Sequence, residues 1–437
     1  MSGTADGIMI MSTEGIRAMT ADAAPASEVR LRAGELSRDS RRVIGPLNGY
    51  HHETYAFPLP EESELSARFA RAKLRAPRPG LLWFDRRCFA SEDLLLTALQ
   101  GRVTRIPEII EVGGGVHLQG FIEGVTLDAG ARRLPGRDLP GRCLPGRGLS
   151  RRHHDQLERF FHELVSIDPK ALEEREVKRV CAPGDRTDDG DSAAFLDRLI
   201  GFTEDQVYRR HGEPYQRLFE ELGVGAEALV RLRKQAVGLR RRPFSLLHCD
   251  LHRKNLIVDR HGDLWIIDWE LAMIGDPLYD LATHLHLMRY PRREEAGVVR
   301  RWQRAVERAR EGSSYGWEDD LPLLLAYKRV QSVYTDVIRT ALLLGEARGR
   351  ARGALPRAAW RIQRVLAAAR DTSGGADQEP EPAGAAGAVG AAGSAGAAGS
   401  AGAAGSAGVP SYRQVVAAYR NWFRTARPPE ALTPSAP

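Results

Sequence analysis

The stretch Phe244–Asp280, FSLLHCDLHRKNLIVDRHGDLWIIDWELAMIGDPLYD, decides the reading of this chain. Phe244 to Leu247 is an apolar run of the length of a buried strand, and it delivers His248 and Asp250 into a polar loop. Leu256-Ile257-Val258 and Leu264-Trp265-Ile266-Ile267 are β-rich runs joined by Asp259-Arg260-His261-Gly262-Asp263, a turn with glycine at its tip, so a hairpin is predicted. Folding it about the middle of the turn sets Val258 opposite Trp265, Ile257 opposite Ile266 and Asn255 opposite Asp268. Opposed residues share a face roughly 5 Å apart. An amide oxygen and a carboxylate then converge, a donor set suited to Mg2+, which takes oxygen ligands and shares them with substrate phosphates.

Asp250 stands five residues before Asn255. His-x-Asp-x-x-x-x-Asn is the spacing of the protein-kinase catalytic loop, where the Asp meets the substrate hydroxyl and the Asn holds a metal. Asp268 takes the place of the other metal-binding Asp, here in Asp-Trp-Glu. Singly, each would read as a turn or cap residue; together, at these spacings, they read as chemistry. His248 reads either as a loop clamp or as a chemical participant, and the clamp is the preferred reading.

His-Cys-Asp-Leu-His-Arg-Lys-Asn, Ile-Ile-Asp-Trp-Glu and Gly-Asp-Pro-x-x-Asp-Leu-Ala together resemble the aminoglycoside phosphotransferase and choline kinase group of small-molecule kinases. The match is specific over residues 244–284 and looser over about 40–370. The resemblance implies an α+β, two-lobed protein-kinase-like fold with a small β-rich N-lobe and a large, mainly helical C-lobe. It implies ATP and Mg2+ as cofactors, Asp250 as catalytic residue, Asn255 and Asp268 as metal ligands, and Asp280 as support behind the catalytic loop.

Upstream, Val43–Phe57 reads as strand, turn, strand. Gly45 and Gly49 would let backbone amides approach phosphates, or serve an ordinary turn. Phe69–Ala76 alternates like a strand. Within it Lys73, the only lysine before residue 170, is either a charge on the nucleotide phosphates or a solvated strand residue. Ser91–Leu99 opens with an N-cap and acids and is predicted helical. Glu92 would either pair with Lys73 or favour the helix dipole. Ile109–Val112 and Val116–Ile122 form a predicted hairpin, with a hinge from Gln119 to Gly124. By resemblance, backbone near Gln119 to Phe121 meets the adenine.

The expected organisation is a disordered tail over 1–38, a nucleotide-binding lobe over 39–118 and a catalytic lobe over 119–370. The three LPGR copies within 134–150 read as an inserted surface loop. A Gly/Ala/Ser-rich linker over 371–408, an amphipathic helix over 409–426 and a tail over 427–437 follow. Tyr412, Val415, Val416, Tyr419 and Phe423 share one face of that helix, which is expected to dock on the large lobe or on a partner.

Of the 437 residues, 43% are hydrophobic and 27% charged, in the range of a soluble globular protein. No run approaches the ~20 apolar residues of a membrane span. The four cysteines lack metal-ligand spacing and read as reduced thiols of a cytoplasmic protein. The net charge of +6 comes with dispersed arginines and no recognition motif, so no nucleic-acid partner is expected. The expected partner is a hydroxylated small molecule, antibiotic or metabolite, and oligomeric state is open. Two other readings stand beside this one. A protein kinase is disfavoured because Asp280 stands only twelve positions after Asp268 and no Ala-Pro-Glu follows. A non-catalytic nucleotide-binding scaffold is disfavoured by three intact catalytic positions.

Overall fold

The computed structural model describes residues 27–425, except 48, 63–65, 67–68, 79–80, 113–115, 129–147, 174–176, 182–185, 347–350 and 371–407. The LPGR repeats and almost all of the Gly/Ala/Ser tract lie outside the described residues. The chain divides into two compact units, one running to Arg78 with Ile110–Phe121 added, the other comprising Pro79–Ile109 and the chain from Ile122. The two-lobed α+β class is therefore what the chain adopts.

The first unit begins with helix α1 (Glu28–Ser37), capped by Ser27, whose hydroxyl accepts from the Arg30 amide at 3.2 Å. This helix falls inside the stretch expected to be a disordered tail. Its sequence is only weakly amphipathic. Ala33 is nonetheless fully buried, and Val29 and Leu36 pack on the small core of Tyr55, Phe57, Leu74, Ile110 and Leu118. Tertiary burial rather than local pattern orders it. A 3-10 turn (Ser40–Arg42) leads to β1 (His52–Pro58) and β2 (Arg71–Pro77). The strand expected at Val43 is reduced to a single bridge, Ile44 to Ala56, extended by one bond from the Leu47 amide to the Thr54 carbonyl.

Helix α2 (Glu92–Leu99) belongs to the second unit, with Ser91 as its N-cap. Strands β3 (Ile109–Glu111) and β4 (His117–Gly120) complete the first sheet in the order β1-β2-β4-β3. Gln119 sits inside β4, paired with Lys73 of β2, so the expected hinge begins later than Gln119.

The second unit continues with β5 (Gly124–Thr126), α3 (Arg151–Val165), α4 (Pro169–Glu173), α5 (Ser192–Phe202), a π-helical turn (Thr203–Arg209), α6 (Gly212–Glu221) and α7 (Glu227–Ala236). The stripe Leu157, Phe160, Phe161 and Leu164 of α3 is buried, each such side chain worth ~1.5–3 kcal/mol. Four short strands frame the polar loop: β6 (Ser245–Leu247), β7 (Leu256–Asp259), β8 (Leu264–Ile266) and β9 (Met273–Gly275). Strand β6 pairs with β9, and β7 lies between β5 and β8. Glycine is needed at 275, where a Cβ would meet the Phe195 ring at 2.2 Å.

Helices α8 (Pro277–Met288), α9 (Arg292–Ala309), α10 (Trp317–Glu346), α11 (Ala351–Arg370) and α12 (Tyr412–Thr425) follow. Helix α12 docks on the second unit itself. Trp422 stacks on Tyr215 of α6 with centroids 5.5 Å apart, and the Tyr419 hydroxyl donates to the Val337 carbonyl of α10 at 3.1 Å. Its buried face is Val415, Ala418, Tyr419 and Trp422, rotated slightly from the face expected, and Tyr412 is left 37% exposed. Among the described residues no helix is long and apolar enough to cross a membrane.

Candidate active site

Strand β6 ends at Leu247 and β7 starts at Leu256, and the loop between them is held from three sides. Asp280, in the first turn of α8, is buried, and its two carboxylate oxygens accept from the backbone amides of His248 (3.1 Å) and Cys249 (2.7 Å). Cys249 has φ +63°, the left-handed region, so the chain turns sharply just before Asp250. Burial raises the Asp280 carboxyl to about 6, and the same two amides oppose that shift.

His248 forms the second anchor. It is fully buried, and burial pushes its imidazole down to about 4, so the ring is neutral. Its Nδ1 accepts from the Asp250 amide at 3.3 Å, which leaves the proton on Nε2 to donate to the Ile267 carbonyl at 3.2 Å. The ring lies 4.8 Å from that of Trp269. His284 of α8 is the third anchor. It too is buried and pushed down to about 4, and it engages the Leu251 carbonyl through Nδ1 at 2.8 Å and the Tyr290 hydroxyl through Nε2 at 2.9 Å.

Within this frame Asn255, only 5% exposed, gives its amide hydrogens to Asp250, one to the backbone carbonyl and one to Oδ2, both at 2.9 Å. A flipped amide would set oxygen against two oxygens, so the orientation is determined. Oδ1 of Asn255 therefore points away from Asp250. His252 also approaches Asp250 Oδ2, with Nε2 at 3.4 Å, while its Nδ1 accepts from the Lys254 amide.

The hairpin register differs by one residue from the expected one. Ile257 faces Trp265, Leu256 faces Ile266, and the Ile267 amide donates to the Asn255 carbonyl. Asp259 causes the shift. Its amide bonds the Asp263 carbonyl, and its carboxylate accepts from the amides of His261 and Asp263 and from the Trp265 indole, which centres the turn on His261. Asn255 is thus opposite Ile267, and Asp268 lies one residue beyond. Asp268 has φ +69°, so its direction is set by a left-handed turn rather than by strand alternation.

The other sequence candidates are spread over both units. Lys73 is on β2, opposite Ala56 and Gln119. Gly45 approaches β1 so closely that a Cβ would meet Tyr55 Cδ1 at 2.5 Å and the Thr54 carbonyl at 2.8 Å, so packing requires that glycine. Gly49 is exposed. The Phe121 amide donates to the Arg71 carbonyl, and the Arg71 guanidinium covers the Phe121 ring at 4.1 Å. Glu92 opens α2 in the second unit, so Lys73 and Glu92 belong to different units.

Sequence reasoning missed a buried polar chain behind the loop. Lys328 of α10 donates to Gln331 Oε1 (2.6 Å) and to the Tyr279 hydroxyl (3.2 Å), and Gln331 donates to Asp85 (2.8 Å). Burial lowers the Lys328 ammonium, while Asp85, Cys249 and Asp250 pull it back. Its one sequence signal is rarity, a lysine among only six in a chain with 57 arginines. Asp276, the α8 N-cap, bonds Arg242, which also bonds Asp320 at 2.6 Å; all three are buried, and the cluster fixes the start of α8.

The family model described as the APH phosphotransferase enzyme family matches residues 44–317. The chain belongs to this phosphotransferase family. Solved structures similar to the phosphotransferase have low sequence identity. A Ralstonia eutropha protein assigned to the aminoglycoside phosphotransferases is 15% identical, with a TM-score of 0.49 over 77% of this chain and 93% of that one. A macrolide 2'-phosphotransferase from Brachybacterium faecium is 13% identical, with a TM-score of 0.43 over 81% and 99%. A choline kinase from Streptococcus pneumoniae is 15% identical, with a TM-score of 0.41 over 78% and 98%. A search of the curated proteins found no match. The assignment of the phosphotransferase rests on the family model.

Proposed function

We propose that the protein transfers the γ-phosphoryl group of ATP, with Mg2+, to a hydroxyl of a small molecule. The observation that carries this reading is the fixed Asp250–Asn255 pair, in a loop anchored by Asp280, His248 and His284. Asp250 retains a carboxylate, one quarter exposed, that can accept or orient the proton of an incoming hydroxyl. Asn255 holds that carboxylate, so the reacting oxygen meets a pre-positioned acceptor rather than a rotating one.

The donor set fits Mg2+. Asn255 Oδ1 faces away from Asp250, and Asp268 supplies a second hard oxygen ligand; the remaining ligands of such a site are phosphate oxygens and water. Among the described residues no cluster of three or more His, Cys, Asp or Glu is arranged to hold a metal, and a site shared with phosphates needs none. Bound there, Mg2+ would offset the charge on the phosphate oxygens. Lys73 is proposed as a further charge for those phosphates, and the backbone near Gln119 to Phe121 as the adenine edge. His248 and Asp280 act through the loop they hold.

The acceptor class is broad. Helices α9 and α11 are rich in arginine, while α10 has only two, and its acids cluster at Glu318, Asp319 and Asp320. Asp320 is tied to Arg242 and Arg240, and Asp319 to Arg240. This favours neutral or anionic hydroxylated acceptors as much as cationic antibiotics. A screen of hydroxylated metabolites and antibiotics for ATP consumption tests the reading, with Asp250→Asn as control. Mg-dependent nucleotide binding with no turnover on any acceptor, and no slow ATP hydrolysis, would favour a nucleotide-binding scaffold instead.

A further inference from the structure

The second unit contains a cavity of about 410 Å3 lined by Cys88, Cys181, Arg86, Arg179 and Arg186, with Phe195, Phe244 and Ile274 among its apolar walls. Two segments meet there. Phe89 and Arg179 form an isolated antiparallel bridge, the Val180 amide donates to the Cys88 carbonyl at 2.7 Å, and the Ala90 amide donates to the Lys178 carbonyl at 3.0 Å. In a regular ladder Val180 would share a face with Cys88. The chain bends at Val180 and Cys181 instead, leaving Val180 57% exposed. The bend places Cys181 on the cavity wall that Cys88 also lines, where the two thiols interact. Both thiols are reduced; Cys88 is buried and Cys181 half-buried on the cavity wall.

The two sulfurs differ in character. The hydrogen bond from Cys88 and the charges of Arg86, Arg186 and Arg179 lower Cys181 to about 5, against the opposing effect of burial. That bond and burial push Cys88 up. Cys181, half-buried on the cavity wall among arginines, is thus the more acidic and more accessible thiol, and Cys88 is the buried one beside it.

We propose that Cys181 and Cys88 form a redox-active pair in which Cys181 reacts with a peroxide and Cys88 then closes a disulfide. In the first step the Cys181 sulfur attacks a peroxide oxygen. An S–O bond forms, the O–O bond breaks, and hydroxide leaves; the sulfur is oxidised by two electrons and the peroxide reduced. In the second step the Cys88 sulfur attacks Cys181. An S–S bond forms, the S–O bond breaks, and the departing hydroxide takes the Cys88 proton and leaves as water. The bridge beside them holds the two backbones together, and closing the disulfide brings the sulfurs to a bond of ~2.05 Å. The disulfide would tie the segment around Phe89 to that around Arg179 covalently, where one β-bridge now joins them.

The test uses the full chain, exposed to dilute hydrogen peroxide, quenched with N-ethylmaleimide and mapped by peptide mass spectrometry. The wild type should yield a Cys88–Cys181 linked peptide that dithiothreitol separates. Cys88→Ser should leave a Cys181 sulfenic acid that dimedone traps, and Cys181→Ser should leave Cys88 reduced at the same exposure. Cys181 advancing to sulfonic acid with Cys88 still alkylatable, or neither residue reacting, would overturn the proposal. The wild-type peptide map decides the matter even if a serine variant does not fold.

Discussion

Asn255 donates to Asp250 twice, once to the backbone carbonyl and once to the carboxylate, each at 2.9 Å. The proposed metal ligand and the proposed proton acceptor are therefore one mechanical unit. Removing Asn255 frees Asp250 as well as costing a ligand. In a double-mutant cycle, Asn255→Ala and Asp250→Ala are expected to be non-additive in kcat, with a coupling of ~0.5–3 kcal/mol. Additive losses would mean that the two residues act independently.

Asp250→Asn should lower turnover ~10²–10⁴-fold, because an amide cannot accept the proton a carboxylate can. Mg-nucleotide affinity, measured by calorimetry, should stay close to wild type. Near-normal turnover would remove Asp250 from the chemistry.

Asp268→Ala should weaken Mg-nucleotide binding more than Asn255→Ala does, since it deletes the charged member of the proposed ligand pair. Titration of ATP at fixed Mg2+ for both variants measures this. The same affinity in Asp268→Ala as in the wild type would place the metal elsewhere.

Asp280→Ala leaves the buried amides of His248 and Cys249 without acceptors, at ~1–3 kcal/mol each. The urea midpoint should fall accordingly, and Asp280→Asn, which keeps one acceptor oxygen, should fall less. An unchanged midpoint in Asp280→Ala would show that the loop is held by other means.

Burial lowers six histidines from 6.5, and three of them most strongly: His248 and His284 to about 4 and His286 to about 3. The unfolded chain takes up these protons first, so stability present above about pH 6.5 is lost as pH falls towards 4. Each histidine contributes at most on the order of 3 kcal/mol to this loss. Asp280, raised to about 6 by burial, works in the opposite sense between its ordinary 3.8 and 6, but it is one group against six. The melting temperature should drop between pH 7 and pH 4.5, and less steeply in His284→Gln. A flat profile in the wild type would contradict the buried, neutral histidines.

The loop was legible in the sequence because its chemistry is local: His248, Asp250 and Asn255 lie within eight consecutive residues, and short-range spacing survives any error in tertiary placement. The hairpin was legible as a hairpin, but not its register. The apolar runs on both sides tolerate either alignment, and the deciding contacts are made by the Asp259 side chain inside the turn. The chain from Asp85 through Gln331 to Lys328 was not legible at all. Its members are 246 and 3 residues apart, and only folding brings them together. Helix α1 was missed for a related reason: one fully buried alanine with two partly buried neighbours makes too faint a periodic signal.

Helix α12 is attached to α11 through residues 371–411, so its docking on α6 and α10 is a binding event between parts of one molecule. Partners within one chain meet at an effective concentration on the order of millimolar or below. The helix therefore needs no tight intrinsic affinity to stay seated, and a free copy of its sequence would compete only near that concentration. Two chains crowded beyond it could exchange their terminal helices without changing a single contact.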